Sequence, residues 1–95
     1  MNIVDYTIEV TTEVVETLQK MRQLSGNENG GILLGSEIGK QYYRINRVSE
    51  PCMLIDRSSK YGCIRDAEKA NEIIKREYES SNHKRVYFGE WHTHP

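Results

Sequence analysis

The sequence predicts a mixed α/β fold, in which a twisted, largely antiparallel sheet is flanked by two helices. Hydrophobic periodicity changes along the chain in the order β, α, β, β, loop, α, β. Two β-like segments in the middle are separated by a short turn, and such a hairpin requires antiparallel pairing. A parallel doubly wound sheet fits less well, because no Gly-rich phosphate loop opens either predicted helix.

The first strand and the first helix are predicted near the N-terminus. Residues 6–10 alternate apolar and polar side chains, as a half-buried strand does. Thr11 or Thr12 is suited to cap the helix that follows, and Ser25-Gly26-Asn27 ends it. The apolar stripe of this helix comprises Val14, Val15, Leu18, Met21 and Leu24.

A hairpin is predicted in the middle of the chain. Residues 31–35 read Gly-Ile-Leu-Leu-Gly, a continuous apolar run that is typical of a central strand buried on both faces. Residues 37–40 are expected to form the turn. The next strand covers residues 41–48, which are rich in tyrosine and β-branched side chains.

The second half of the chain contains a loop, a helix and a strand. Residues 49–62 show no clear period, which predicts a loop with one short strand at most. A helix is expected over residues 65–80 and a strand over residues 85–91. The expected apolar stripe of the helix is Ala67, Ala70, Ile74 and Tyr78.

Composition excludes several classes of protein. The 95 residues allow a single domain spanning residues 1–95, with 37% hydrophobic and 28% charged residues and a net charge of -1. Such a chain has no basic field for nucleic acid and no apolar segment for a membrane span or a secretory signal. We therefore expect a cytoplasmic protein, in which Cys52 and Cys63 are reduced thiols because their spacing matches no metal or redox motif.

Two histidines close to the end of the sequence are candidate metal ligands. His92 and His94 are one residue apart at the end of a predicted strand, so their side chains are expected on the same face. Zinc binds neutral imidazole, and a catalytic zinc has three protein ligands and a water molecule. A His-x-His pair by itself also occurs by chance and in unrelated enzymes, which leaves a structural role open.

Two motifs taken together are more specific. Residues 28–35 read Glu-Asn-Gly-Gly-Ile-Leu-Leu-Gly, and residues 89–95 read Gly-Glu-Trp-His-Thr-His-Pro. In this order and at this separation they closely resemble the JAMM or JAB domain of the MPN superfamily, particularly its bacterial branch. The resemblance covers nearly the whole chain and implies the cytidine-deaminase-like JAB/MPN fold.

The resemblance also implies roles for three residues. Glu28 corresponds to the general base and proton shuttle, and His92 and His94 correspond to two ligands of Zn²⁺. Without the histidines, Glu28 would be read as a solvated loop carboxylate. The implied activity is that of a zinc-dependent isopeptidase or peptidase acting at the C-terminal tail of a ubiquitin-like or sulfur-carrier protein, including in bacterial antiphage defence.

The sequence departs from the family pattern after Pro95. The family has a serine and an aspartate further along, and the aspartate, which is the third metal ligand, is absent from this chain. We therefore expect a C-terminally incomplete domain with impaired activity, and a sheet edge that favours a homodimer. The alternative is a catalytically inactive MPN-like module that binds a partner protein; stoichiometric zinc in the purified chain would favour the enzyme.

Overall fold

The computed structural model describes residues 5–24, 29–55, 63–65 and 67–93. It confirms the mixed α/β class. None of the helices in these ranges is long and apolar enough to cross a membrane. In chain order the elements are β1 (Thr7–Val10), α1 (Thr12–Leu24), β2 (Asn29–Gly39), β3 (Tyr42–Val48), β4 (Met53–Ile55), β5 (Cys63–Arg65), α2 (Ala67–Ser80) and β6 (Val86–Thr93).

Four of the strands form one sheet in the order β1-β3-β2-β6. Strand β2 pairs antiparallel with both β3 and β6, which confirms the largely antiparallel sheet and the central place of residues 31–35. Strand β1 pairs with β3 in parallel, since α1 and β2 intervene between them and return the chain in the same direction. Strands β4 and β5 form a separate antiparallel pair.

The hairpin between β2 and β3 turns later than expected. The predicted turn over residues 37–40 is wrong, because β2 continues to Gly39 and the turn comprises Lys40 and Gln41, the latter with φ of 58°. Register shifts lie between Leu34 and Gly35 and again before Gly39. Such bulges let a strand bend and go on pairing where its sequence is polar.

Helix α1 begins where its cap was predicted. The Thr11 Oγ1 atom accepts a hydrogen bond from the Val14 amide at 3.4 Å, which satisfies one of the open donors of the first turn. Val14 is buried, but Val15 is 43% exposed, so the predicted stripe is wider than the face that packs. Val14 lines a cavity with Val48 of β3, which places α1 over that face of the sheet.

Helix α2 covers the opposite face. Ile32 and Leu34 of β2 are fully buried and pack in one cluster with Ala70 and Ile73 of α2. Leu33, between them, is only partly buried, so burial of residues 31–35 on both faces is confirmed in part. The cluster also includes Cys52; the prediction that both cysteines are reduced remains a prediction.

The predicted bounds and stripe of α2 need two corrections. Arg65 lies in β5, so the helix starts at Ala67 rather than at residue 65. Ala70 is buried as predicted and Ile74 is partly buried, but Ala67 and Tyr78 are exposed. The buried side of the helix consists of Ala70, Ile73 and Glu77. These three are spaced three and four residues apart and share one side of the helix, which a purely apolar stripe misses because Glu77 is charged.

Glu77 is buried because three arginines surround it. Arg47 Nε of β3 donates to Glu77 Oε1 at 3.0 Å, and Arg85 Nη1 donates to Oε2 at 2.8 Å. Arg76 Nη2 lies 3.6 Å from Oε1. Burial raises the pKa of Glu77, but the hydrogen bonds from Arg47 and Arg85 and their charges outweigh it, and the pKa lies below its ordinary value.

Candidate metal centre

The structure describes one of the three predicted site residues. His92 lies in β6. Glu28 and His94 lie outside the described residues, so their predicted roles as base and ligand remain predictions. The same holds for their arrangement around a shared ion.

The strand that carries His92 is longer than predicted. His92 was expected after the end of a strand, but β6 continues through Thr93, because β2 begins at Asn29 and supplies pairing partners to that point. Gly30 is the partner of His92, and Asn29 is the partner of Thr93. The start of β2 and the end of β6 therefore meet at one end of the sheet.

The imidazole of His92 is accessible. Its side chain is 44% exposed, and Nε2 lies 3.8 Å from Oε2 of Glu90, which is beyond hydrogen-bonding distance. Glu90 and His92 are two residues apart in a strand and project to the same face. Across the strand pair, the partner of His92 is Gly30, which has no side chain.

This setting suits a metal ligand. A neutral imidazole nitrogen is a good zinc ligand, and the imidazole of His92 is accessible. One histidine is not a site, and within the described ranges no three His, Cys, Asp or Glu side chains come together as a metal-binding group. A zinc centre here therefore remains a prediction, which requires His94 and a further ligand beside His92.

The opposite face of the same strand pair is tightly packed. Trp91 of β6 is 5% exposed and is the cross-strand partner of Gly31. A Cβ atom at Gly31 would lie 2.6 Å from Trp91 Nε1 and 2.7 Å from Ser49 Oγ. The indole and the hydroxyl thus occupy the space that any other residue at position 31 would need.

Ser49 continues the hydrogen bonding of β2 beyond the end of β3. Its amide donates to Ile32 O at 3.0 Å, and its Oγ atom accepts from Ile32 N at 2.9 Å. The Cys52 amide donates to Gly30 O at 2.9 Å. The start of β2 is therefore bonded on both edges, to β6 on one side and to residues 49–52 on the other.

The sequence did not reveal this cluster. Ser49 belongs to a residue type with many uses, and Gly31 and Trp91 were noted only as members of two separate motifs. A usable signal would have been a glycine in one predicted strand beside a tryptophan in the next, but this requires the β2–β6 register. Pairing register is not fixed by alternation alone in a strand that is apolar throughout.

The described fold and site define a mixed α/β protein with an accessible histidine in the last pairs of a strand pair of its main sheet. No family model matches the chain. The chain is 34% identical over 93 residues to the CD-NTase/cGAS isopeptidase of Escherichia coli (strain TW11681). The alignment covers 96% of this chain, which spans 58% of the length of that relative.

Proposed function

We propose that this chain forms part of a zinc-dependent isopeptidase or peptidase. Three lines of support agree: the pattern of Glu28, His92 and His94 in the sequence, the similarity to a protein named as an isopeptidase, and the mixed α/β fold. The observation that carries the proposal is the pairing of the start of β2 with the end of β6.

This pairing supports a shared site through chain connectivity. Asn29 and Thr93 are cross-strand partners. Glu28 directly precedes Asn29 and His94 directly follows Thr93 in the sequence. Because consecutive Cα atoms are only about 3.8 Å apart, this connectivity supports the proposal that Glu28 and His94 act together with His92.

Each residue has a defined task in the proposed reaction. His92 and His94 would hold zinc through neutral imidazole nitrogens. When bound, zinc supplies Lewis acidity that polarises the scissile carbonyl and lowers the pKa of water. Glu28 would accept a proton from the attacking water and deliver it to the leaving amine, a role that requires hydrogen-bonding reach of both groups.

The substrate we propose is a protein joined through the C-terminal tail of a ubiquitin-like protein, with a sulfur-carrier tail as the second candidate. The name of the relative points to a conjugate of a CD-NTase as the form to test first. Cleavage would then release the amine of the modified protein and the free carboxyl end of the tail.

The test is cleavage of such a conjugate by the protein expressed from its full reading frame. We expect cleavage that stops with a chelator and returns with added zinc. Glu28→Gln is expected to abolish cleavage and to retain zinc, because it removes the proton acceptor and leaves the histidines. His92→Ala is expected to abolish cleavage and to weaken zinc binding.

Matched controls come from the same chain. Glu13→Gln changes an exposed glutamate of α1, and His83→Ala changes an exposed histidine in the turn after α2. Both variants should cleave like the unmodified protein. Cleavage that survives Glu28→Gln or chelation would contradict the mechanism, and an absence of zinc together with tight binding of the conjugate would favour the inactive binding module.

A further inference from the structure

We propose that Trp91 is a positioning residue whose indole, seated against Gly31 and Ser49 on one face of β6, fixes the direction in which His92 projects from the other face. This inference rests on the proposed zinc site. It adds to that site a residue that touches neither metal nor substrate.

His92 has little else in the described structure to orient it. Its side chain is 44% exposed, and the carboxylate of Glu90, at 3.8 Å, is too distant to hold the ring by a hydrogen bond. Its cross-strand partner, Gly30, offers no side chain to pack against. The direction of the imidazole therefore depends on how the β6 backbone is held.

Trp91 holds that backbone through close packing. The position that a Cβ atom would take at Gly31 lies 2.6 Å from the indole Nε1 and 2.8 Å from Cε2. Successive side chains in a strand point to opposite faces, so a rotation of β6 that displaced the indole would also swing His92. A seated indole thus excludes other orientations of the neighbouring histidine.

The surface that receives the indole is itself fixed. Ser49 Oγ accepts from Ile32 N at 2.9 Å and donates to Glu50 O at 2.8 Å, so the hydroxyl is held between two backbone groups. Gly30 O accepts from Cys52 N on the same edge. Trp91 therefore packs against a segment of β2 that is hydrogen-bonded on both edges.

Shape, rather than hydrogen bonding, sets the position of the indole. Trp91 Nε1 is buried and has no hydrogen-bond partner among the residues that the structure describes. A flat ring without the N–H group should therefore take the same seat. This separates Trp91→Phe, which keeps an aromatic ring, from Trp91→Leu, which keeps apolar character but not the flat shape.

The experiment compares Trp91→Phe, Trp91→Leu and Gly31→Ala with the unmodified 95-residue chain. Ile73→Val, in the core beneath α2, serves as a control for lost stability away from the site. Two quantities are measured in samples shown to be folded by circular dichroism: zinc affinity, by competition with a chromogenic chelator, and the NMR signals of the His92 ring in the metal-free protein.

We expect Trp91→Phe and Ile73→Val to match the unmodified chain in both measurements. Trp91→Leu and Gly31→Ala are expected to weaken zinc binding by about tenfold or more, as loss of groups that orient metal ligands does. They should also shift or broaden the His92 ring signals without metal. If Trp91 and Gly31 contributed only to overall stability, Ile73→Val would change zinc affinity and the His92 signals as much as a site variant that lowers stability by the same amount.

Failure of this inference differs from failure of the proposed function. If the unmodified chain binds zinc and both Trp91→Leu and Gly31→Ala leave zinc affinity and the His92 signals unchanged, the positioning role is wrong. If the unmodified chain binds no zinc but the His92 signals change as expected, the positioning role holds, and the zinc site is wrong only if the protein expressed from its full reading frame also binds no zinc. Should Trp91→Leu not fold, Gly31→Ala decides by the same criteria.

Discussion

At the scale of single residues, Glu77 is a buried carboxylate whose ion pairs contribute to stability. Its side chain is 3% exposed and bonded to Arg47 and Arg85. Glu77→Gln removes the charge and leaves Arg47 and Arg85 without their charged partner. We expect the free energy of unfolding to fall by about 2 to 4 kcal/mol. Urea denaturation followed by circular dichroism measures this.

Glu50→Gln is the matched control for Glu77→Gln. Glu50 also pairs with an arginine, with 3.0 Å to Arg76 Nη2, but its side chain is 45% exposed. Exposed ion pairs contribute little to stability, so we expect Glu50→Gln to lower the free energy of unfolding by less than about 1 kcal/mol. Equal losses for the two variants would contradict the importance of burial at Glu77.

Acid should weaken the fold through the same carboxylate. The pKa of Glu77 lies below its ordinary value of 4.5, because the hydrogen bonds from Arg47 and Arg85 outweigh burial. Its contribution to stability is therefore complete above pH 4.5 and is lost as the pH falls through the lower pKa of the folded state. We expect the loss of stability below pH 4.5 to be smaller in Glu77→Gln, as measured by urea denaturation at several pH values.

Other groups add to the acid response with the same sign. The pKa of Glu9 is also lowered, by hydrogen bonds from Tyr42 and Arg44. Some pH dependence should therefore persist in Glu77→Gln. A slope identical to that of the unmodified chain would show that Glu77 does not titrate differently in the folded and unfolded states.

At the scale of elements, the pairing of β2 with β3 depends on Gly35. A Cβ atom there would overlap the carbonyl oxygen of Arg44 and lie 2.9 Å from the Cα of Ile45. The neighbouring backbone is hydrogen-bonded between β2 and β3 and cannot move aside. Gly35→Ala is therefore expected to lower the free energy of unfolding by about 3 kcal/mol or more, or to prevent folding. Thermal unfolding and soluble yield measure this.

Gly89→Ala tests the same substitution in the neighbouring strand. A Cβ atom at Gly89 would meet no atom within 4 Å. We expect Gly89→Ala to change the free energy of unfolding by no more than about 0.5 kcal/mol, because alanine fits an extended strand there without a clash. A similar loss in both variants would mean that crowding at Gly35 is not the cause.

The bounds of the helices and strands show which features can be predicted from local sequence. Periodicity and capping predicted the start of α1, because the Thr11 cap and the apolar spacing are local properties; its predicted end at Ser25-Gly26-Asn27 lies outside the described residues. The end of β2 was misplaced, because bulges carry a strand through polar residues only when a neighbour supplies partners. The continuation of β6 to Thr93 was missed for the same reason, because it depends on pairing with β2.

At the scale of the whole molecule, β1 forms one edge of the four-stranded sheet. Tyr6 and Ile8 alternate on one face near this edge and are 61% and 59% exposed. Edge strands with exposed apolar side chains favour pairing between molecules, and charged residues on them oppose it. We expect Ile8→Lys to reduce self-association at high concentration, measured by sedimentation equilibrium.

Val15→Lys is the control for this substitution. Val15 is 43% exposed but lies on helix α1 rather than on the edge strand β1. It should leave self-association unchanged. An unmodified chain that stays monomeric at all concentrations would refute the prediction of a homodimer, and an equal effect of both lysines would indicate a general effect of charge.

The sequence by itself determined the fold class, the order of most elements and the three candidate residues of the site. Periodicity, caps and turn residues act between near neighbours, so they can be read without a structure. Glu28, His92 and His94 were identified as residue types in two motifs, and the roles assigned to them remain predictions.

Only the tertiary structure decided which distant residues pack around Glu77 and Trp91. The arginines around Glu77 come from α2, β3 and the residue before β6, and the seat of Trp91 combines β2 with Ser49. These contacts join residues far apart in the chain, and they exist only once the strands have a register. Neither charge nor hydrophobic pattern specifies that register locally, which is why the buried glutamate and the packed indole came to light in the folded chain.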